Sequence, residues 1–224
     1  MDSTALVPLG DRAYLAHFAD ERSAAGWAEA VRDRRWPGVT DVVLAYRSVA
    51  VFADPDRVDL AELEWRLRTI AIDATGTLGP GSSAAGRLLE IPVLYDGDDL
   101  EDVAARRGLS TAEVVAWHVG VEYDVFAIGF QPGFPYAGYL PAALSGLPRR
   151  DTPRVRVPAG SVAIAGRQTG IYPAESPGGW HLLGRTPLCI VDLNDGYFPI
   201  RAGDRMRFRS IPADEFEDRR HDRL

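Results

Sequence analysis

Residues 126–187 read FAIGFQPGFPYAGYLPAALSGLPRRDTPRVRVPAGSVAIAGRQTGIYPAESPGGWHLLGRTP, and this stretch decides the fold class. It holds ten of the chain's 22 glycines and nine of its 16 prolines. Short apolar runs (126–130, 161–166) alternate with turn clusters (131–135, 147–154, 175–179), which is the texture of short strands joined by elaborate loops. A disordered Gly/Pro tract would lack its aromatics, among them Phe130, Phe134, Tyr136, Tyr139, Tyr172 and Trp180. The stretch is also basic. Arg149, Arg150, Arg154, Arg156, Arg167 and Arg185 stand against Asp151 and Glu175, in a chain whose formal net charge is −7. A basic, aromatic, turn-rich segment in an acidic protein suits an anionic small molecule or an acidic partner. The plainer alternative is a set of arginines scattered over solvated loops.

The 224 residues allow one large domain or two small ones. No apolar run nears the ~20 residues of a membrane helix. The first residues lack a basic region followed by an apolar block, so no signal peptide is expected. The lone Cys189 lies in the apolar run 188–193 and reads as a buried small hydrophobe, consistent with a cytoplasmic protein. All 25 basic residues are arginine, with no lysine. A P-loop lysine and Schiff-base chemistry are therefore beyond this chain, and phosphate would have to be held by arginine, backbone N–H groups or another chain.

Outward from the central stretch, residues 12–19 read as a strand and 23–34 as a helix with Trp27, Ala30 and Val31 on one face. Two strands (42–45 and 49–52) follow. A helix then starts at Asp59, with Glu62 as capping-box partner and Leu60, Leu63, Leu67 and Ile70 inward. A fourth strand would complete a small ferredoxin-like α/β plait. Residues 75–86 are the best linker, which gives an N-terminal α+β domain over 1–87 and a second domain over 88–224. The strand at 88–95 could close the first sheet or open the second. Helices at 99–107 and 110–118 follow, Ser110 and Glu113 forming a capping box. The pair mimics a helix-turn-helix, but its second helix has no arginine, so no nucleic-acid binding is expected. Strands at 188–193 and 205–211 and a frayed charged tail at 213–224 complete a closed or nearly closed β-barrel with helical elements.

No nucleophile elbow surrounds Ser161 or Ser176, and the four histidines lack metal-ligand spacing, so no metal site is expected on this chain. His118, at a helix end, could be a general base or could sit there for the helix dipole. Arg154 and Arg156 alternate with valines, so a strand would point both one way, as a carboxylate or phosphate clamp or as a bland outer face. Gln168 and Thr169 offer neutral donors. Pro132-Gly133 and Pro177-Gly178 fit turns with glycine at positive φ, and Trp180 suits a core or an interface.

The strings His118, Tyr123–Val125, Gly129–Phe134, Pro153-Arg154, Val157–Val162, Gln168–Pro173, Ser176–Trp180 and Gly184–Pro187 resemble those of the PxpB/KipI family, also labelled allophanate hydrolase subunit 1. Val119 and Tyr139 stand where that family often has Thr and Gly. The resemblance implies an α+β fold: the small plait followed by a cyclophilin-like β-barrel, without prolyl isomerase activity. It implies the B-type component (PxpB) of an ATP-dependent 5-oxoprolinase, inactive alone. Its partners would be a sister cyclophilin-like C-type component (PxpC) and an A-type component of the LamB/YcsF kind. The site is expected across the interface of the B-type and C-type chains, with ATP as cosubstrate and Mg2+ held by the complex. His118 and Arg154 are expected as catalytic residues. Gln131, Phe134, Tyr136, Arg156, Gln168, Thr169, Tyr172 and Arg185 are expected to bind substrate or phosphate. Two other family roles stay open: inhibition of a sensor histidine kinase, and a part in an allophanate hydrolase.

Overall fold

The computed structural model describes residues 5–70 and 86–224. These divide into two compact units that part between Gly86 and Arg87. The expected linker at 75–86 falls, Gly86 apart, outside the described residues.

The first unit runs β1 (Ala5–Leu9), β2 (Ala13–His17), α1 (Glu21–Arg34), β3 (Val39–Ala45), β4 (Ser48–Ala53) and α2 (Leu60–Arg68). Its strands pair antiparallel in the order β1-β2-β4-β3. The fourth strand of the expected plait is thus supplied ahead of the first βα step, by a hairpin through Gly10 (φ 67°). Pro8 concealed it. Proline is tolerated on a strand at the end of the pairing order, where a missing N–H breaks no central ladder. Trp27, Val31, Leu63 and Leu67 are buried together with Val49 and Val51 of β4. Asp20 caps α1 by accepting from the Ser23 amide at 2.7 Å. Asp59 caps α2 through the Ala61 amide, but the reciprocal bond from Glu62 is absent because Glu62 pairs with Arg66.

The second unit contains β5 (Leu88–Val93), α3 (Leu100–Arg107), α4 (Thr111–Val119), β6 (Glu122–Ile128), β7 (Pro135–Gly138), β8 (Arg154–Val157), β9 (Ser161–Ala165), β10 (Gln168–Ile171), β11 (Ser176–Gly178), β12 (His181–Arg185), β13 (Arg205–Ser210) and α5 (Ala213–Asp218). The pairing runs β5-β13-β6-β7-β10-β9-β12, and β8 with β11 forms a separate ribbon. Among these ladders of the described residues only β5–β13 is parallel, and it fixes β5 in this unit. The expected closed barrel is not formed by continuous ladders. The ends of the path meet at the single bridge Leu94–Arg185, whose two N–H···O bonds are both 2.9 Å. Inside lie Ile91, Val103, Val114, Tyr123, Ile164, Leu183 and Phe208.

Two other expectations fail here. Residues 188–193 are no strand; they hold isolated bridges at Cys189 and Asp192. The segment 213–224 is no frayed tail. Phe216 anchors α5 at 4% exposure, and 219–224 is strapped on by His221 N–H to Pro187 O (3.0 Å) and Cys189 N–H to Asp222 O (2.8 Å). Its charges had hidden this, since a segment tied by backbone bonds needs only one apolar anchor.

Candidate functional site

The loops after β6, β10 and β11, together with β7, gather the aromatics of the central stretch. Phe134 is 1% exposed and meets Phe130, Tyr136, Tyr172 and Trp180 edge-on, with centroids 5.0–5.5 Å apart. Phe130 is 60% exposed although its backbone is left-handed at φ 66°. Gly133 takes the expected positive φ of 79°, but Gly178 does not. Its glycine answers to a different demand: a Cβ there would lie 2.3 Å from the Tyr172 hydroxyl oxygen. Burial raises the Tyr172 pKa, against an opposing pull from the Trp180 amide and from Arg149 and Arg154.

The cations do not converge on one point. Arg154 makes two bonds to Asp99 (2.7 and 2.8 Å), and Arg150 makes a third at 2.5 Å. The Leu182 amide adds a fourth at 2.7 Å. Burial alone would raise the Asp99 pKa. The bonds from Arg154 and Leu182 and the two positive charges outweigh it and hold the carboxyl below the usual range. Arg156 instead grips exposed Glu175 (3.0 and 2.7 Å). Arg167 lies over the Tyr139 ring at 3.9 Å. Arg185 pairs with Asp96 at 2.9 Å and covers Phe216 at 4.5 Å. Arg149 is exposed and has no ion-pair partner among the described residues.

The clamp expected of Arg154 and Arg156 is therefore not assembled; each guanidinium is already occupied by a separate carboxylate. Asp99 was legible only as a helix start, yet it makes no side-chain cap bond to α3. The neighbouring pair Asp98-Asp99 facing an arginine-rich loop is the signal that could have found it.

His118 is wholly buried. Its Nε2 lies 2.9 Å from Thr169 Oγ1, which donates to Ala163 O at 3.2 Å, and its Nδ1 lies 2.6 Å from Tyr95 Oη. One assignment satisfies all of these: Tyr95 O–H donates to Nδ1, and Nε2–H donates to Thr169. The ring stacks on Phe208 at 4.5 Å, and burial pushes its pKa down to about 3. His118 and Thr169 are thus brought together, but in the interior, as a neutral chain without access to solvent. Of the remaining expected residues, Gln131 is half-buried and donates to Ala174 O at 3.4 Å. Tyr136 packs on the aromatic cluster, and Gln168 opens β10 opposite Gly138.

Residues 4–197 match the family model described as carboxyltransferase domain, subdomain C and D. The chain is 43% identical over 194 residues to the B subunit of 5-oxoprolinase from Escherichia coli O157:H7, covering 84% of this chain and 85% of that one. It is 35% identical over 235 residues to the corresponding B subunit from Bacillus subtilis (strain 168), covering 93% of each. The crystal structure of TTHA0988 superposes with a TM-score of 0.78 at 40% identity; 90% of this chain is covered, which spans only 40% of that longer chain. Kluyveromyces lactis urea carboxylase, at 17% identity and a TM-score of 0.64 over 22% of its own chain, shares the fold alone.

Proposed function

The chain belongs to the carboxyltransferase subdomain C and D family and, within it, to the 5-oxoprolinase B subunits; from that premise we propose that it is the non-autonomous B-type component of a cytoplasmic, ATP-dependent 5-oxoprolinase. The observation that carries this reading is the kinship with the Escherichia coli and Bacillus subtilis proteins along nearly their full lengths. The reaction opens the lactam of 5-oxoproline with water to give glutamate, coupled to conversion of ATP to ADP and phosphate. A lactam carbonyl is a poor electrophile. Transfer of a phosphoryl group to its oxygen lets water attack the carbon and phosphate leave, a step that needs fixed cations around the moving group.

The geometry supports a shared site. Five of the six arginines in the central stretch are already occupied within the chain, by Asp99, Glu175, Asp96 or the Tyr139 ring. Arg149 remains, beside the aromatic turn. Among the described residues no three His, Cys, Asp or Glu side chains gather to hold a metal ion. Mg2+ is assigned to the complex, and no step is drawn through it. We assign completion of the site to two further chains, a sister cyclophilin-like C-type component and an A-type component of the LamB/YcsF kind, this chain presenting Arg149 and the Phe130 edge. His118 and Thr169 then serve by holding β9 and β10 in place.

The test is 5-oxoproline-dependent ADP release by this chain alone and after mixing with the two partners. The chain alone should be silent and the mixture active, and Arg149→Ala should cut the mixture's turnover at least tenfold without moving the melting temperature. Full turnover by the isolated chain, or an assembled complex indifferent to 5-oxoproline, would overturn the reading.

A further inference from the structure

The second unit contains a cavity of about 740 Å3 that includes none of the aromatic turn's rings. Two of the central strings build it, 158–161 and 184–187, tied by the Thr186 amide to Gly160 O at 2.9 Å. Gly160 is held at φ 81°, and a Cβ there would meet Thr186 O at 2.7 Å, so the wall is tightly fitted. A further wall is the C-terminal strap, through Phe216, Arg220 and His221. That strap lies beyond residues 4–197, the span matched by the family model.

The polar groups facing the cavity are unequally committed. Arg185 and Asp96 satisfy each other. Arg220 is half-exposed, with a 3.5 Å contact to Glu217 and its guanidinium 5.8 Å from the Phe216 ring centre. Ser161 is 5% exposed, and among the described residues nothing hydrogen-bonds its hydroxyl. Ser161 lines the cavity, so its hydroxyl can donate to an acceptor bound there. The rest of the lining is largely apolar: Leu182, Leu188, Ile190, Phe216 and three prolines. One loosely held guanidinium, an imidazole and a hydroxyl suit a single negative charge. Asp96 and Asp98 on the facing wall oppose a dianion. The volume lies within the roughly 300–1,000 Å3 of small-molecule sites.

We propose that this cavity binds a small monocarboxylate, its carboxylate on Arg220 and the Ser161 hydroxyl and its carbon body against Leu188, Ile190 and Phe216. The inference does not depend on the oxoprolinase reading, because it concerns binding to this chain alone.

Cys189, the chain's only cysteine, is half-buried and lines the same cavity, so it reports occupancy. Its alkylation by iodoacetamide would be timed in the full chain with acetate, 5-oxo-L-proline or benzoate at rising concentration. At least one should slow labelling saturably, fivefold or more, and give matching 1H–15N shifts at residues 159–161 and 219–222. Arg220→Gln, an exposed change that leaves the fold intact, should weaken the apparent Kd at least tenfold, and Ser161→Ala should weaken it several-fold. Saturable protection by none of the three overturns the proposal. So does equal protection by 5-oxoprolinamide or inorganic phosphate, or an unchanged Kd in Arg220→Gln.

Discussion

Arg154 and Arg156 leave the same strand two residues apart, and each grips one carboxylate through two hydrogen bonds. Their surroundings separate them. The Arg154 and Asp99 side chains are 20% and 3% exposed, those of Arg156 and Glu175 74% and 51%. Around Asp99, four bonds replace lost water, so each member depends on the others. Around Glu175, water can take over from either partner. Identical chemistry thus gives an anchor at one end of β8 and a loose surface pair at the other.

The largest break in this contrast should come from Asp99→Ala, which strands two guanidinium groups and the Leu182 amide. Denaturant melts should show a loss of about 3–5 kcal/mol, the usual cost of removing one partner from a buried ion pair. The same carboxyl has an acid signature. Its folded pKa lies below the unfolded one, so its stabilisation is present above the unfolded value of about 3.9 and fades as the pH falls through the folded value. Melts of Asp99→Asn should lack that acid slope.

His118→Ala tests whether the buried neutral chain behaves like the Asp99 cluster. It leaves a cavity and frees the Tyr95 and Thr169 hydroxyls, for an expected loss of about 2–4 kcal/mol in the same melts. A stable His118→Ala chain whose complex has lost turnover would instead make the imidazole a participant in the reaction. Gly178→Ala drives a methyl into Tyr172 and should cost about 1–3 kcal/mol, while shifting the aromatic signals of the cluster in near-UV circular dichroism. The smallest effect belongs to Arg156→Ala, whose melting temperature should match that of the unaltered chain. A clear drop would show that the exposed end of β8 is also anchored.

Periodicity and punctuation made most helices and strands legible. Trp27, Ala30 and Val31 marked α1, and Ser110 with Glu113 marked α4 through the capping box that the structure contains. Two kinds of information were out of reach. One was pairing across long separations: β1 was hidden by Pro8, and the strap at 219–224 by its charges. The other was prior commitment of side chains. Sequence could show that six arginines crowd one stretch, but not that Asp96, Asp99 and Glu175 already hold four of them. His118 was visible as a notable position near a helix end. Only the positions of Tyr95 and Thr169 show that both of its nitrogens are in use.

The parallel ladder of β5 with β13 sets Leu88 opposite Arg205 and Val93 opposite Ser210. On the ribosome the first of these strands emerges long before its mate. Until then Ile91 and Val93 have no cover from Met206 and Phe208, and the nascent second unit carries an unpaired apolar edge through most of its own synthesis. Such long-range closure is slow, because the chain entropy is lost before the contacts form. Messages truncated ahead of residue 205 should therefore yield aggregates or chaperone clients rather than a smaller folded piece.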